Sequence, residues 1–383
     1  MKRCAECKGK GLCGLPKCPI MQRFYAQTNE KPVSEYMGPA PSVFIGSGGY
    51  PKVVGGPLLL REPDVPTDWI TGNLSIDDIV AIRSRTIRGT QPIGSVLEKS
   101  QEVALSRRPL DVEATFVKPV QFGLSFDGTI APIGLSGQLK KVDIIDNAVI
   151  EPAVDRYTSD TDILATEAVS ALHQEGIDVY RITDLLTAGL LGSKRRFVPT
   201  RWAITAVDDM VSLQLRKQVE RLPPLGDIMI YSSLLHGNHL VILLIPSPDF
   251  RFEMIERWQK QSLWGDTGDV VVVDGEGRKK RGYSPIAGAY YSARLAVLEH
   301  LAQVGRCARA LVIRDISGEY WAPLGTWVIR EAARQAMRSG GIVSLDLPQA
   351  EEMITSLLGS SFWRHQSDLI RDVRVQRTFA DFF

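Results

Sequence analysis

Leu240-Val-Ile-Leu-Leu-Ile245 is the longest apolar run in the chain, and turn-forming residues flank it on both sides. Three shorter runs have the same character: Ile228 to Tyr231, Val270 to Val273 and Ala310 to Ile313. Short apolar runs between turn residues are typical of strands buried inside a sheet. A long helical pattern, Ala289 to Gln303, precedes the last of them. These patterns predict an α/β fold, with mixed α+β as the alternative, in a single large body built on a mixed sheet.

Length and charge limit what this body does. A chain of 383 residues with 44% hydrophobic content is long enough for one large core or two ordinary ones. Its 45 basic and 44 acidic residues give a net charge of only +1, so no overall positive field attracts DNA or anionic lipid. Any contact with DNA is therefore expected to be local or to depend on a partner.

The sequence also predicts a soluble cytoplasmic protein that has no membrane partner. The first ten residues are polar, and the apolar run of Leu240 to Ile245 is far shorter than the roughly 20 residues that span a bilayer. Four of the five cysteines lie within the first 18 residues and Cys307 is isolated, which is not the distribution of a disulfide framework. We therefore expect a reducing compartment.

Helices are predicted on either side of the strands. Asn73 or Ser75 is expected to cap a helix that continues through Arg85, and Met210 to Arg221 is amphipathic and ends before a pair of prolines. Helical patterns dominate from Leu324 to Arg371, with a break at Gly340-Gly341.

Residues 1–25 are predicted to form a small zinc-binding module. Cys4, Cys7, Cys13 and Cys18 stand on short, glycine-rich and lysine-rich loops. Four thiolates suit a tetrahedral zinc ion, and such a closed shell is structural because it leaves no position for a substrate. Two disulfides or an iron–sulfur cluster are the alternatives.

The chain ends on an aromatic motif, with Gln376 followed by Phe379, Phe382 and Phe383. Phe379 and Phe382 are three residues apart, so a 3₁₀ turn would project them together as an apolar plug. This spacing resembles the motif by which proteins bind the sliding clamp PCNA, although Phe379 stands where that motif usually has Leu, Ile or Met. Residues 371–383 are accordingly predicted to be a flexible clamp-binding tail, and PCNA is the expected partner.

The alternative for these phenylalanines is the last turn of a helix that packs on the core. The charged stretch from Arg371 to Arg377 argues against that alternative, and an exposed aromatic patch requires a partner.

With the cysteines and the terminal motif, three internal strings carry a resemblance to a known family. They are Phe44-Ile-Gly-Ser-Gly-Gly-Tyr-Pro51, the string from Lys194 to Asp209, and Tyr283-Ser-Pro-Ile-Ala-Gly-Ala-Tyr-Tyr-Ser-Ala-Arg294. The chain resembles the archaeal Nre family of DNA repair proteins over nearly its whole length. The resemblance implies a role in DNA damage tolerance through the sliding clamp, but it implies no reaction.

The string from Lys194 to Asp209 holds the densest functional chemistry. Arg195, Arg196 and Arg201 supply donors for phosphate, Trp202 offers a face for a base, and Asp208 with Asp209 would hold a divalent metal ion at the end of a short strand. Equally, the two aspartates would cap a helix that begins near Met210, and the basic residues would form a solvated loop.

Two further groups are candidates for binding a nucleotide. Gly46, Gly48 and Gly49 would let backbone N–H groups approach a phosphate, or they serve a tight turn that requires positive φ. Tyr290, Tyr291 and Arg294 would stack on and clamp a nucleotide, or they pack in the core.

His236 and His239 are candidates for a metal or general-base role, but no full ligand set accompanies them, and a place in a turn is the alternative.

Two functions therefore remain open for residues 26–370, the predicted core domain. One is a clamp-recruited enzyme that acts on nucleic acid or a nucleotide, with Arg195, Arg201 and Asp208 converging in one pocket. The other is a clamp-bound adaptor without chemistry. In both, the near-zero net charge predicts modest, salt-sensitive affinity for DNA.

Overall fold

Two six-stranded sheets carry the fold of the computed structural model, which describes residues 3–28, 31–62, 64–121, 123–124, 130–265, 267–277 and 282–375. Helices pack against both sheets, so the predicted mixed α/β class is confirmed, whereas two sheets replace the predicted single one. The chain divides into two compact units, Met1–Lys10 with Cys18–Val211 and Gly11–Lys17 with Ser212–Phe383. One sheet lies in each unit.

The sheet of the first unit has the strand order β1-β5-β6-β4-β3-β2. Its strands are β1 (Val33–Ala40), β2 (Ser42–Ile45), β3 (Val54–Leu59), β4 (Ile87–Pro92), β5 (Leu110–Val120) and β6 (Leu135–Ile144). Neighbours are antiparallel except for the parallel pair β4 and β6. In β5, buried Leu110, Val112 and Ala114 alternate with exposed Asp111 and Glu113. This period of two is that of a strand with one face in the core.

The helices of the first unit are α1 (Arg3–Cys7), α2 (Pro19–Gln27), α3 (Pro66–Thr71), α4 (Ile76–Arg85), α5 (Ile93–Leu105), α6 (Pro152–Ser159), α7 (Ala165–Gln174), α8 (Val179–Thr187) and most of α9 (Thr200–Val219). The cap of α4 is the predicted Ser75. Its hydroxyl accepts from the backbone N–H of Asp78 at 3.2 Å, and the Asp78 carboxylate accepts from the backbone N–H of Ser75 at 2.9 Å. Such a reciprocal capping box satisfies N–H groups that the first turn leaves without partners.

The sheet of the second unit has the order β10-β9-β11-β8-β7-β12. Its strands are β7 (Ile228–Leu235), β8 (Asn238–Pro246), β9 (Phe252–Trp258), β10 (Val270–Glu276), β11 (Ala308–Ile316) and β12 (Ile342–Ser344). The four apolar runs of the sequence lie within β7, β8, β10 and β11, so all four are strands as predicted. The predicted burial is wrong for Val270 to Val273, because β10 is an edge strand in which Val270 and Val271 are exposed. Every residue of β11 is buried, because its neighbours β8 and β9 lie on both sides and helices cover the sheet.

The helices of the second unit are α10 (Gly288–Val304), α11 (Trp327–Arg338), α12 (Leu347–Leu358) and α13 (Asp368–Val375). The predicted helix from Ala289 is α10, and the predicted break at Gly340-Gly341 precedes β12. Helices α12 and α13 cover one face of the sheet with buried Ile354, Leu358, Leu369 and Ile370. Each such side chain contributes about 1.5–3 kcal/mol when fully buried.

In the part of the chain that the structure describes, no helix combines the length and the apolar character that a membrane crossing requires.

Candidate functional site

Helix α9 carries several of the predicted site residues, and it begins at Thr200, ahead of the predicted start at Met210. Ala203, Val207 and Val211 recur every four residues on it and are buried. This apolar stripe fixes the helix against the core. Asp208 and Asp209 therefore lie inside a helix, and the predicted short strand and the predicted capping role are both wrong.

The helix does not bring Arg201 and Asp208 to one place. Arg201 is exposed, whereas Asp208 is completely buried. Seven residues correspond to two turns, or about 10 Å along the helix axis. The difference in exposure therefore does not support the convergence of both side chains that the enzyme hypothesis requires.

Arg195 has a different role from its neighbours. Its guanidinium donates to the backbone carbonyl of Leu190 and, at 2.8 Å, to that of Asp160. Its backbone has a φ of 43°, so a turn is formed here. Lys194 and Arg196 on either side are exposed. Arg195 thus stabilises the loop before α9, and the neighbouring charges face solvent.

The glycine-rich loop after β2 lies against the start of α9. The backbone N–H of Ile45 donates to Thr200 Oγ1 at 2.9 Å. Beyond it, the rings of Tyr50 and Trp202 meet edge to face with centroids 5.1 Å apart. Two of the predicted groups, the glycines and the basic helix start, therefore form one surface. Sequence reasoning did not single out Tyr50, whose only signal was an aromatic residue among turn formers.

Gly46, Gly48 and Gly49 of this loop differ in backbone conformation and in the space that a side chain would have. Gly49 has a φ of 76°, and a Cβ there would lie 2.9 Å from the carbonyl oxygen of Lys52. The tight-turn interpretation therefore holds for Gly49. Gly46 and Gly48 do not have positive φ, and a Cβ on Gly48 would meet no atom within 4 Å. The loop tip at Gly48 is open to approach.

The two histidines belong to the hairpin of β7 and β8. His236 and Gly237 form its two-residue turn, with φ values of 50° and 72°, which indicates a type I′ turn. His239 lies in β8 with Nε2 3.0 Å from Ser232 Oγ. Burial lowers the pKa of both imidazoles, against which Asp315 raises that of His239. The turn alternative is confirmed for His236.

Tyr290, Tyr291 and Arg294 lie in the core of the second unit. Arg294 Nη1 donates to both carboxylate oxygens of Glu276 at 3.0 Å, and neither side chain is more than 1% exposed. The guanidinium carbon lies 5.8 Å and 5.4 Å from the ring centroids of Tyr290 and Tyr291. Burial raises the pKa of the Tyr290 hydroxyl. This arrangement agrees with the core-packing alternative and leaves no open face for a nucleotide.

The N-terminal cysteines occupy two helices and a turn. Cys4 and Cys7 lie one turn apart on α1, Cys13 lies in a turn closed by a 3.0 Å hydrogen bond from Gly14 N to Gly11 O, and Cys18 is the N-cap of α2. Among the residues that the structure describes, no three His, Cys, Asp or Glu side chains are grouped to hold a metal ion. The zinc module therefore stays a prediction from the cysteine spacing.

Helix α13 leads to the C-terminal motif and is fixed at both ends. The Glu253 carboxylate accepts from the backbone N–H of Asp368 at 2.8 Å and from the Ser367 hydroxyl. Near the other end, Arg374 pairs with the buried carboxylate of Glu351. Residues 371–375 of the predicted tail are therefore helical, and the charged stretch does not prevent packing on the core. Gln376, Phe379, Phe382 and Phe383 lie outside the described residues.

A cleft of about 630 Å³ beside α13 contains none of the candidate catalytic, nucleotide-binding or metal-binding residues. Glu253, Glu276 and Asp372 contribute to its lining, but each is engaged within the fold, with α13, Arg294 and Arg251 respectively. These three carboxylates thus stabilise the fold of the second unit.

Comparison with known proteins gives matches over almost the whole chain. The sequence model described as archaeal Nre, N-terminal, matches residues 12–265, and that described as archaeal Nre, C-terminal, matches residues 276–382. DNA repair protein NreA of Archaeoglobus fulgidus is 35% identical over an alignment covering 100% of this chain and 98% of the relative.

Two further relatives have the same range of identity. DNA repair protein NreB of Archaeoglobus fulgidus is 35% identical, with 99% of each chain covered. DNA repair protein NreA of Haloferax volcanii is 36% identical, with 88% of this chain and 85% of the relative covered. No solved structure matches the chain.

Proposed function

This chain belongs to the archaeal Nre family, whose relatives are named DNA repair proteins, and on that premise we propose that it is a DNA repair protein recruited by the sliding clamp PCNA. The proposed contact is the C-terminal motif, in which Phe379, Phe382 and Phe383 enter an apolar pocket of the clamp and Gln376 hydrogen-bonds beside it. Burial of several phenylalanine side chains on a partner provides the driving force.

The observation that carries the proposal is the anchoring of α13. Leu369 and Ile370 pack in the core, and Glu253 and Glu351 hold the two ends of the helix. Val375, its last residue, is 74% exposed. The motif thus follows directly on a helix that is fixed to the body, so a clamp bound to the motif would hold the whole second unit.

Calorimetric titration into the clamp of the same organism tests this proposal. The full chain is expected to bind, and a chain truncated after Val375 is expected not to bind, because truncation removes the motif and leaves α13 complete. A full-length variant with Phe382→Ala and Phe383→Ala should behave like the truncated chain.

Val375→Ala is the matched control, since it changes an exposed apolar side chain just outside the motif and should leave the affinity unchanged. Equal binding by the full and truncated chains would refute recruitment through the motif. Thermal unfolding of each variant shows whether the body is intact.

Of the two mechanisms left open by the sequence, we propose the adaptor. Asp208 is buried, Arg201 is exposed, and Arg195 is engaged with backbone carbonyls, which does not support a shared catalytic pocket. Assays of the full chain with PCNA on DNA are therefore expected to show no nuclease or nucleotide hydrolysis. Turnover that is lost in a folded Asp208→Asn variant would instead establish the enzyme.

We also propose that Cys4, Cys7, Cys13 and Cys18 bind a structural zinc ion. This proposal rests on the spacing of the cysteines and on the expected reducing, cytoplasmic compartment. Metal analysis of protein purified without chelator should find about one zinc per chain. Chelator treatment, or Cys4→Ser, should then lower the melting temperature by several degrees, as loss of a structural metal does. A chain without zinc, whose melting temperature is unchanged by Cys4→Ser, would rule the module out.

A further inference from the structure

We infer that Tyr50 and Trp202 form a site on which an unpaired base of single-stranded DNA stacks. Nothing in the comparisons assigns a role to either residue. The inference uses the DNA repair context proposed above, but it concerns a contact that does not involve the clamp motif.

The first observation is the exposure of this aromatic pair. Tyr50 is 46% and Trp202 is 42% exposed, although each is large enough to belong in a core. Their rings touch at 5.1 Å with an interplanar angle of 61°, so the two faces form an open corner. A base entering such a corner stacks on one ring and meets the edge of the other. Exposed aromatic side chains of this kind are the usual stacking platforms for single strands.

The second observation is that the fold joins the two segments that carry the rings. Tyr50 lies on the loop that joins β2 to β3, and Trp202 lies in the first turn of α9. The hydrogen bond from Ile45 N to Thr200 Oγ1 fixes the loop to the helix at its base. A platform that exists before binding avoids the ordering cost that a mobile loop would have.

The third observation is a local excess of positive charge. The segments 44–52 and 194–202 together carry Lys52, Lys194, Arg195, Arg196 and Arg201, and they contain no acidic residue. In the described part of the chain, no carboxylate forms an ion pair with Lys52, Lys194, Arg196 or Arg201. Across the whole chain the charges nearly cancel, so the two segments that carry the aromatic pair are more basic than the chain as a whole.

The positive charge of the two segments favours DNA over a protein as the ligand of the aromatic pair. An apolar protein surface would satisfy the two rings but not the four exposed cations, whereas a DNA strand offers a base for the rings and phosphates for the cations. A duplex keeps its bases stacked inside, so the rings favour a single strand or an unpaired position. The open tip at Gly48 leaves room for the strand to pass.

Fluorescence anisotropy with a labelled oligo(dT), at low salt, tests the inference. The full chain should bind the oligonucleotide, and Trp202→Ala and Tyr50→Ala should each weaken binding by about tenfold. Trp202→Phe keeps a stacking face and should remain within about threefold of the wild type. A duplex of equal length should be bound more weakly and should respond less to the alanine variants.

Tyr25→Ala is the matched control, because Tyr25 is 57% exposed in the same unit and lies on α2. It should leave oligo(dT) affinity unchanged, and all variants should unfold at the wild-type temperature. The inference is overturned if the wild type does not bind oligo(dT), or if neither alanine variant weakens binding.

Separate experiments test clamp recruitment and the stacking site, so either proposal can fail without the other. Truncation after Val375 should not alter oligo(dT) binding, and Trp202→Ala should not alter titration into the clamp. Loss of oligo(dT) binding on truncation would contradict the stacking site while leaving clamp recruitment standing.

Discussion

The side chain of Glu253 in β9 accepts a hydrogen bond from the backbone N–H of Asp368, 115 residues further along the chain, at 2.8 Å. Glu253 is 4% exposed, so its carboxylate lies in the interior, where it contacts the first turn of α13. Helix N-termini carry unsatisfied N–H groups and a partial positive charge, and a carboxylate satisfies both. This contact fixes the last helix before the C-terminal motif.

Replacing Glu253 by alanine is expected to lower the free energy of unfolding by about 1–3 kcal/mol, because the N–H groups of Asp368 and Leu369 lose a buried acceptor. Urea unfolding followed by fluorescence measures this. Glu352→Ala, an exposed glutamate on α12, is the control and should change stability by less than about 0.5 kcal/mol. Equal stability of the two variants would show that Glu253 does not hold α13.

Arg294→Ala should lower the free energy of unfolding by about 3–5 kcal/mol, since the fully buried Glu276 carboxylate loses both hydrogen bonds from Arg294 Nη1 and keeps, among the described residues, only the 3.5 Å contact with Arg216. The double variant Arg294→Met with Glu276→Gln removes both charges and should recover part of the loss. Thermal unfolding of the single and double variants measures the coupling. A stable, folded Arg294→Ala chain that has lost binding to a nucleotide would instead support the nucleotide-clamp hypothesis.

Two substitutions at His236 separate turn geometry from chemistry. His236→Asn should fold at least as stably as the wild type, because Asn-Gly is a favoured type I′ turn. His236→Val should lose about 1–2 kcal/mol, because a β-branched residue is strained at positive φ. Chemical unfolding compares them. If the asparagine variant keeps its stability but loses a bound metal ion, His236 is a metal ligand.

Stability should depend on pH through Asp184 in α8. Burial, aided by the negative charge of Asp64 and opposed by Arg181, raises the pKa of this carboxyl to about 7. The folded state then binds a proton that the unfolded chain releases near pH 4, so stability falls as pH rises from about 4 to about 7, by up to about 1.4 kcal/mol per pH unit.

Asp184→Asn cannot ionise and should flatten this part of the profile, with the gain over the wild type greatest above pH 7. Urea midpoints measured at several pH values test the expectation. Parallel profiles for the variant and the wild type would show that Asp184 does not titrate in this window.

The sequence predicted the two central strands of the second sheet from continuous apolar runs. Leu240 to Ile245 and Ala310 to Ile313 are apolar at every position, and both lie in central strands. The cap at Ser75 was also predictable, because a capping box is formed by residues close in sequence.

Strand β9 was not predicted, because its pattern mixes apolar residues with Glu253, Glu256 and Arg257. These charges are tolerated since their partners lie far away in sequence: Glu256 pairs with Arg314 at 2.5 Å, and Arg257 with Asp315 at 2.6 Å. Only the folded chain shows that the charges are compensated.

The start of α9 was missed for a different reason. Its first half contains Ile204, Thr205 and Val207, β-branched residues with reduced helix propensity, followed by two aspartates that look like a cap. Burial of the stripe that includes Val207 outweighs that propensity. The contact of Tyr50 with Trp202 joins distant segments, so no local pattern indicates it.

Because α13 is fixed to the second unit, the eight residues after Val375 limit how far the C-terminal motif can extend from it. Eight residues follow Val375, and a fully extended chain spans at most about 3.6 Å per residue, or about 29 Å in all. In the proposed complex, the pocket that receives Phe382 and Phe383 therefore lies within this radius of Val375. A connection this short would give the second unit a high effective concentration beside the clamp, and it would restrict the orientations of the second unit relative to the clamp.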